Sequence, residues 1–247
     1  METATRHHLE LNPIRQTYLW VFISGYTLAF FLANWFDPRL INVFGLNTGA
    51  GSFTFPLTYL ISDIITEVYG YKHARIAVWT ALLFFLIFIL YDQLVVAALA
   101  PGSISQVTLS TFLLTNNRIL IAAILSYLVT ESINSYIVAK LKISLKGKYM
   151  GIRFIGSTLT AYTINELIYA PIAFYGLIPN FIHFIHYILA SWVFMVSIEL
   201  LLLPFSIRLA KRLKIIENLD IYDTQTNFNP FSLNTDYQKQ NNKSQKN

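Results

Sequence analysis

The chain has 247 residues, 55% of them hydrophobic and 13% charged, with a mean hydropathy of +0.50. Soluble domains carry about 25% charged residues, so this balance excludes an ordinary water-soluble globule, and the lack of cysteine excludes disulfides, thiolate metal centres and cysteine nucleophiles. The length suits about six membrane helices of roughly 20 residues each, and the net charge of +5 is better assigned to loops than to nucleic-acid binding.

The first expected span is 18–35, preceded by a polar leader with Arg6 and Arg15 and followed by Asp37-Pro38. Its apolar run is longer than that of a cleaved signal peptide, so it reads as a retained helix. The second, 53–69, is short and carries Asp63 and Glu67. The third, 76–100, is the most hydrophobic and ends at Pro101-Gly102, which cannot continue a helix. Spans 119–139, 154–175 and 187–209 complete an all-α integral membrane protein of six transmembrane helices, forming one domain over 1–212. Helices are required because a lipid-exposed backbone must satisfy its own hydrogen bonds. The polar segment 213–247 lacks apolar periodicity and reads as a disordered cytoplasmic tail.

Basic residues set the orientation. One set of segments holds Arg6, Arg15, Lys72, Arg75, Lys140, Lys142, Lys146, Lys148, Arg153, Arg208, Lys211, Arg212 and Lys214, against Arg39 and Arg118 on the other side. The positive-inside rule then places both termini in the cytoplasm.

Six of the thirteen carboxylates fall within the expected spans: Asp63, Glu67, Asp92, Glu131, Glu166 and Glu199. Each costs about 2.5–3.5 kcal/mol at a helix centre, so each needs protein, water or ligand around it. At 100° per residue, Tyr59, Asp63, Thr66 and Glu67 share an arc of about 100° on the second helix. Ser126, Tyr127, Thr130, Glu131 and Asn134 fit within about 140° on the fourth, and Thr158, Tyr162, Asn165, Glu166 and Tyr169 within about 100° on the fifth. Ser132 and Ser135 fall outside the fourth helix's stripe. The three stripes are expected to converge on one interior. As hydroxyl stripes they serve equally as interhelical glue, whereas intramembrane carboxylates point to function. Asp92 and Glu199 belong to no stripe. His183 and His186 lack a third ligand nearby, so no metal site is expected. With Arg118 and Arg75 as the only cations near the spans, the interior is expected to be acidic. It would then take up protons or bind a basic or amidine-like ligand, as in a transporter.

The stretch 51–77, GSFTFPLTYLISDIITEVYGYKHARIA, carries a pattern of F-P, D-x-x-x-E, Y-G and A-R: Phe55-Pro56, Asp63, Glu67, Tyr69-Gly70 and Ala74-Arg75. It resembles the signature of the queuosine precursor transporter family, also called the vitamin-uptake-transporter-like family. Asn34, Arg118, Ser157-Thr158-Leu159 and Ala173-Phe174 match further family positions, and the resemblance covers about 18–212. It implies a multi-pass protein of the bacterial inner membrane that imports 7-deazaguanine-type bases. One of these bears a cyano group and another a cationic aminomethyl group. The family-matched positions and the polar stripes together give an expected substrate site of Asn34, Phe55, Tyr59, Asp63, Glu67, Arg118, Tyr127, Glu131, Asn134, Ser157, Tyr162, Asn165 and Glu166, with no cofactor and no metal expected. Carboxylates can accept two hydrogen bonds from a guanine-like N–H edge, and Tyr and Phe offer stacking surface.

The chain departs from the family pattern in three places. Helix four has Glu131 and Asn134 where Gln then Asp are usual. Helix five has Asn165-Glu166 where Asp and a small residue are usual, and Phe194 replaces a lysine in the last helix. The expected partners are therefore a small-molecule base, membrane lipid and protons as coupling ion, and no nucleic acid. Two other readings stay open. One is a paralogue carrying a related nucleobase or vitamin. The other is a binding subunit of an ATPase-energised importer, since the chain has no G-x-x-x-x-G-K-[ST] of its own. An enzyme is not expected: H-E-x-x-H and G-x-S-x-G are absent.

Overall fold

The computed structural model describes residues 16–43, 45–98, 104–178 and 180–244. The expected leader with Arg6 and Arg15, and the breaker Pro101-Gly102, lie outside them. Six helices run α1 (Leu19–Phe36), α2 (Phe55–Tyr69), α3 (Tyr71–Ala97), α4 (Ile104–Ser144), α5 (Met150–Phe174) and α6 (Phe181–Glu217). Each overlaps one expected span. By length and composition four of them could cross a membrane, over Leu19–Phe36, Tyr71–Ala97, Ser110–Ser144 and Phe181–Glu217. The 15 residues of α2 fall short of the roughly 20 that a perpendicular span needs. α5 is long enough, but Arg153, Glu166 and many hydroxyls dilute its apolar character.

The helices alternate in direction. The starts of α1, α3 and α5 meet the ends of α2, α4 and α6 at one end of the bundle, which also holds most of the basic residues. Glu217, the last residue of α6, shows this directly. Its carboxylate accepts from the Thr17 and Tyr18 backbone N–H groups (2.9 and 2.6 Å) and from the Tyr69 hydroxyl (2.8 Å). It thereby satisfies free amides at the start of α1, where a negative charge also complements the helix dipole. Gly70 separates α2 from α3 with φ of +87°, and a Cβ there would lie 2.7 Å from Ile221 Cγ2. Only glycine fits that corner.

Between α1 and α2 the chain forms a hairpin of β1 (Leu40–Val43) and β2 (Leu46–Gly49), paired antiparallel with Leu40 opposite Gly49. It was not foreseen, because four-residue strands leave too short a pattern to read. The segment 101–117, expected as a loop, is helical from residue 104 and forms the first turns of α4. No Pro or Gly interrupts 104–144, which explains the length of that helix.

The expected disorder of the tail is also corrected. α6 continues to Glu217, and residues 218–244 pack on the basic end of the bundle. Leu219, Ile221, Tyr222 and Asp223 are buried there. Asp223 accepts from the Tyr71 N–H (3.0 Å), the Tyr237 hydroxyl (2.6 Å) and the Thr226 hydroxyl (2.7 Å). Arg75 donates to the Asn229 and Asn234 carbonyls (2.8 and 2.7 Å), and Trp79 Nε1 to the Pro230 carbonyl (2.7 Å). Side-chain hydrogen bonds and the burial of a few irregularly spaced apolar residues, Leu219 and Ile221 among them, hold this segment, so hydrophobic periodicity could not reveal it.

The largest apolar cluster joins α1 to α4 through Tyr26, Phe30, Val68, Phe85, Leu120 and Tyr127. Phe30 and Tyr127 rings lie 4.0 Å apart between centroids, and Phe30 and Phe85 4.8 Å. The outer faces are apolar too: Leu83, Phe84, Ile87, Leu90 and Leu94 of α3 and Leu201 and Phe205 of α6 are exposed. So large an apolar surface suits lipid and not water.

Candidate functional site

The buried polar residues fall into three tiers along α2. Taking 1.5 Å per residue, Asp63 lies about 12 Å and Glu67 about 18 Å along the axis from Phe55.

The first tier is a cleft at the end away from the basic residues, between α1, α2, α4, α5 and α6. Its empty space, counted out to the mouth and including open solvent, is about 450 Å³. Phe30, Phe55, Tyr169 and Tyr187 give it aromatic surface, and Asn34, Asp37, Ser126, Asn165, Glu166 and Ser191 give it polar groups. The hairpin braces one wall: Thr48 Oγ1 bonds Ser52 (2.8 Å) and Ser191 (3.0 Å). Asn34 is held by donation to the Phe30 carbonyl of its own helix (2.8 Å). Tyr169 donates to Asp37 Oδ2. Asn165 Oδ1 and Glu166 Oε2 are buried and have no hydrogen-bond partner, so each can accept from a ligand. Asp37, outside the helical spans, has its carboxyl pushed up to about 6 by burial, against the Tyr169 hydrogen bond that lowers it.

The second tier is an acid group at mid-depth. Asp63 accepts from Asn134 Nδ2 (2.7 Å), and Glu199 accepts from the Tyr162 hydroxyl (2.9 Å). Both oxygens of Glu131 are buried without a hydrogen-bond partner of good geometry, although the hydroxyls of Tyr26, Thr58 and Ser62 are near. Asp63 interacts electrostatically with Glu199 and Glu131. Tyr59 and Tyr162 pack edge to face at 4.9 Å between them.

The third tier is at the basic end. Arg153 clamps Glu67 with both terminal nitrogens, Nη2 at 3.0 Å from Oε1. Lys214 Nζ lies 2.5 Å and Lys142 Nζ 3.8 Å from Glu67 Oε1. Both lysines also pair with Asp220 at 2.7 Å. Arg153 and Lys142 are fully buried, which corrects the expectation that cations other than Arg118 and Arg75 belong to loops and leave the interior acidic throughout.

The profile of a family described as "Putative vitamin uptake transporter" matches residues 49–209. The chain belongs to the vitamin uptake transporter family. It is a multi-pass membrane transporter, not an enzyme, as the resemblance in 51–77 implied. A protein of Bacillus subtilis (strain 168) named "Probable queuosine precursor transporter" is 24% identical over 191 residues, covering 76% of this chain and 81% of that protein. No solved structure matches the chain.

In this vitamin uptake transporter family member ten of the thirteen expected site residues fall in the tiers and three, Arg118, Tyr127 and Ser157, lie outside them. Asn34, Phe55, Asn165 and Glu166 line the cleft. Asp63, Glu131, Asn134, Tyr59 and Tyr162 form the middle tier. Glu67 belongs to the ion cluster, where three cations already pair with it. Arg118 is not in the cleft: it donates to the carbonyls of Ile172 (2.5 Å) and Tyr175 (2.7 Å), satisfying the end of α5. Tyr127 donates to the Val78 carbonyl (3.2 Å) within the apolar core, and Ser157 to the Phe154 carbonyl of its own helix (2.8 Å). Ser135, set aside as outside the stripe, bonds Ser62 across helices at 3.2 Å. Glu199, which belonged to no stripe, joins the middle tier.

Asp37, Ser52, Tyr187 and Ser191 were missed as cleft residues. In the sequence Asp37 follows the first apolar run and Ser191 is an isolated hydroxyl within the last one, and nothing in either pattern signals a shared cleft. His183 and His186 lie exposed beside Leu40 and Asn47. No group of three or more candidate ligands for a metal occurs among the described residues.

Proposed function

We propose that this transporter imports queuosine precursors, flat 7-deazaguanine-type bases, across the bacterial inner membrane. In this reading all six helices span the membrane, the basic end faces the cytoplasm with both termini, and protons are the coupling ion. The observation that carries it is the cleft. Asn165 Oδ1 and Glu166 Oε2 present unpartnered acceptors beside aromatic side chains, which is what a planar ring with an N–H edge requires. The name of the Bacillus subtilis relative supports the same substrate class. Proton coupling draws support from the middle tier, where Asp63, Glu131 and Glu199 interact with one another and, among the described residues, no cation pairs with them. Acids so placed exchange protons readily once water or substrate reaches them.

The test is a host that needs an external precursor and has no importer of its own. Expression of the chain should restore queuosine in its tRNA, and Glu166→Gln should weaken the rescue. Unmodified tRNA despite protein in the membrane would end the reading.

The family's description favours a second substrate class, a vitamin. Competition of labelled precursor uptake by unlabelled vitamins separates the two. Uptake by proteoliposomes holding this chain alone, driven by a proton gradient, would separate a secondary transporter from the binding subunit of an ATPase-energised importer.

A further inference from the structure

Among the described residues the cleft contains two carboxyl groups and no counter-charge. Asp37 and Glu166 line it, and none of its lining residues is lysine, arginine or histidine. Both acids are more than nine-tenths buried, at 8% and 5% exposure. They are near enough to interact electrostatically. Asp37 has one oxygen engaged by Tyr169, while Glu166 Oε2 and the adjacent Asn165 Oδ1 are left without partners.

The rest of the protein shows how a buried acid is neutralised when the fold itself does it. Glu67 is enclosed by Arg153, Lys214 and Lys142. Those cations sit about 18 Å further along α2 than the cleft residue Phe55, so they do not serve Glu166 or Asp37. Two carboxylates in a partly apolar cavity disfavour ionisation unless a cation enters. A ligand bearing a protonated amine supplies that cation. It also gives Glu166 a charge-assisted hydrogen bond, stronger than a neutral one. A neutral ligand leaves the acids to be matched by protons.

We propose that the cleft discriminates by charge and selects an organic cation, a flat base carrying a protonated amine, with Glu166 as the specificity-determining residue and Asp37 as its electrostatic support. This rests on the reading above that the cleft is the substrate site.

The experiment uses the full chain purified in detergent and titrated at pH 7 with two probes of the same ring, 7-aminomethyl-7-deazaguanine (cationic) and 7-cyano-7-deazaguanine (neutral). The cationic probe should bind about tenfold more tightly, the lower end for a hydrogen bond to a charged group. Glu166→Gln should bring the two affinities together, whereas Glu166→Asp should retain the preference. Because the unmodified protein already provides the comparison, the result does not depend on the variants folding. Equal affinities, or tighter binding of the cyano base, would overturn the charge selection while leaving the substrate site in place. A preference that survives Glu166→Gln would overturn the role of that residue. Binding of neither base would overturn both this inference and the substrate reading on which it rests.

Discussion

Arg153 in the first turns of α5 and Glu67 near the end of α2 form a two-pronged ion pair that is fully buried. Lys142 of α4 and Lys214 of α6 approach the same carboxylate, so four helices are tied at one buried acid. Such a pair adds little over an apolar substitute, but removing one partner leaves charge buried and uncompensated. Glu67→Gln should therefore destabilise the protein by about 3–5 kcal/mol, read as a lower midpoint of thermal unfolding in detergent. A double-mutant cycle with Arg153→Met should show strong coupling. An unchanged midpoint in the single variant would contradict the assignment.

Asp37 gives a pH dependence whose sign can be worked out. Burial pushes its carboxyl up to about 6 from an ordinary 3.8, with the Tyr169 hydrogen bond opposing. The other ionisable groups facing it are Glu166 and Tyr187. Between about pH 4 and pH 6 the folded protein keeps a proton that the unfolded chain has released. Stability contributed by this group is thus present at pH 4 and falls as the pH rises through 6, by an amount on the order of 3 kcal/mol. Asp37→Asn should flatten that part of the stability profile, measured by unfolding at a series of pH values. A wild-type slope retained in the variant would assign it to another group.

The wall of the cleft depends on the absence of a side chain at Gly51. A Cβ there would overlap the Ala33 carbonyl oxygen and lie 2.8 Å from Asp37 Oδ1. Backbone atoms on α1 cannot move aside cheaply, so Gly51→Ala should cost about 1–3 kcal/mol and lower ligand affinity by displacing Asp37. Titration with the aminomethyl probe checks this, and unaltered binding would show that the wall yields.

Asp223 holds the 218–244 segment to the bundle through three accepted hydrogen bonds. In Asp223→Ala the Tyr71 N–H and Tyr237 hydroxyl lose their acceptor, at about 1–3 kcal/mol for each buried group left unpaired. Limited trypsin digestion should cut at Lys239 and Lys243 faster in the variant than in the wild type. Equal rates would mean that the Arg75 and Trp79 contacts suffice alone.

The positions of the six helices were legible because long apolar runs and a single dominant period carry the signal. Burial of acids such as Glu131 and Glu166 was legible too, since a stripe on one helix face cannot economically face lipid. Which tier each residue joins was not. Glu67 and Asp63 lie on one stripe of α2, yet among the described residues Glu67 meets three cations and Asp63 meets Asn134 and no cation. Arg153 and Arg118 look alike as basic residues at helix starts, but Arg153 enters the interior and Arg118 caps α5.

From the sequence alone came the membrane class, the helix count and the family resemblance in 51–77, because composition, periodicity and local motifs are properties of neighbouring residues. The tertiary structure decided the rest: the ordered tail, the ion cluster that neutralises Glu67, and a cleft pairing Asp37 with Glu166. Those relationships join residues far apart in the chain, as 67 and 214 are, and their chemistry depends on which charges share a buried space. No one-dimensional pattern records that sharing, so only the packed fold reveals where the interior is acidic and where it is neutral.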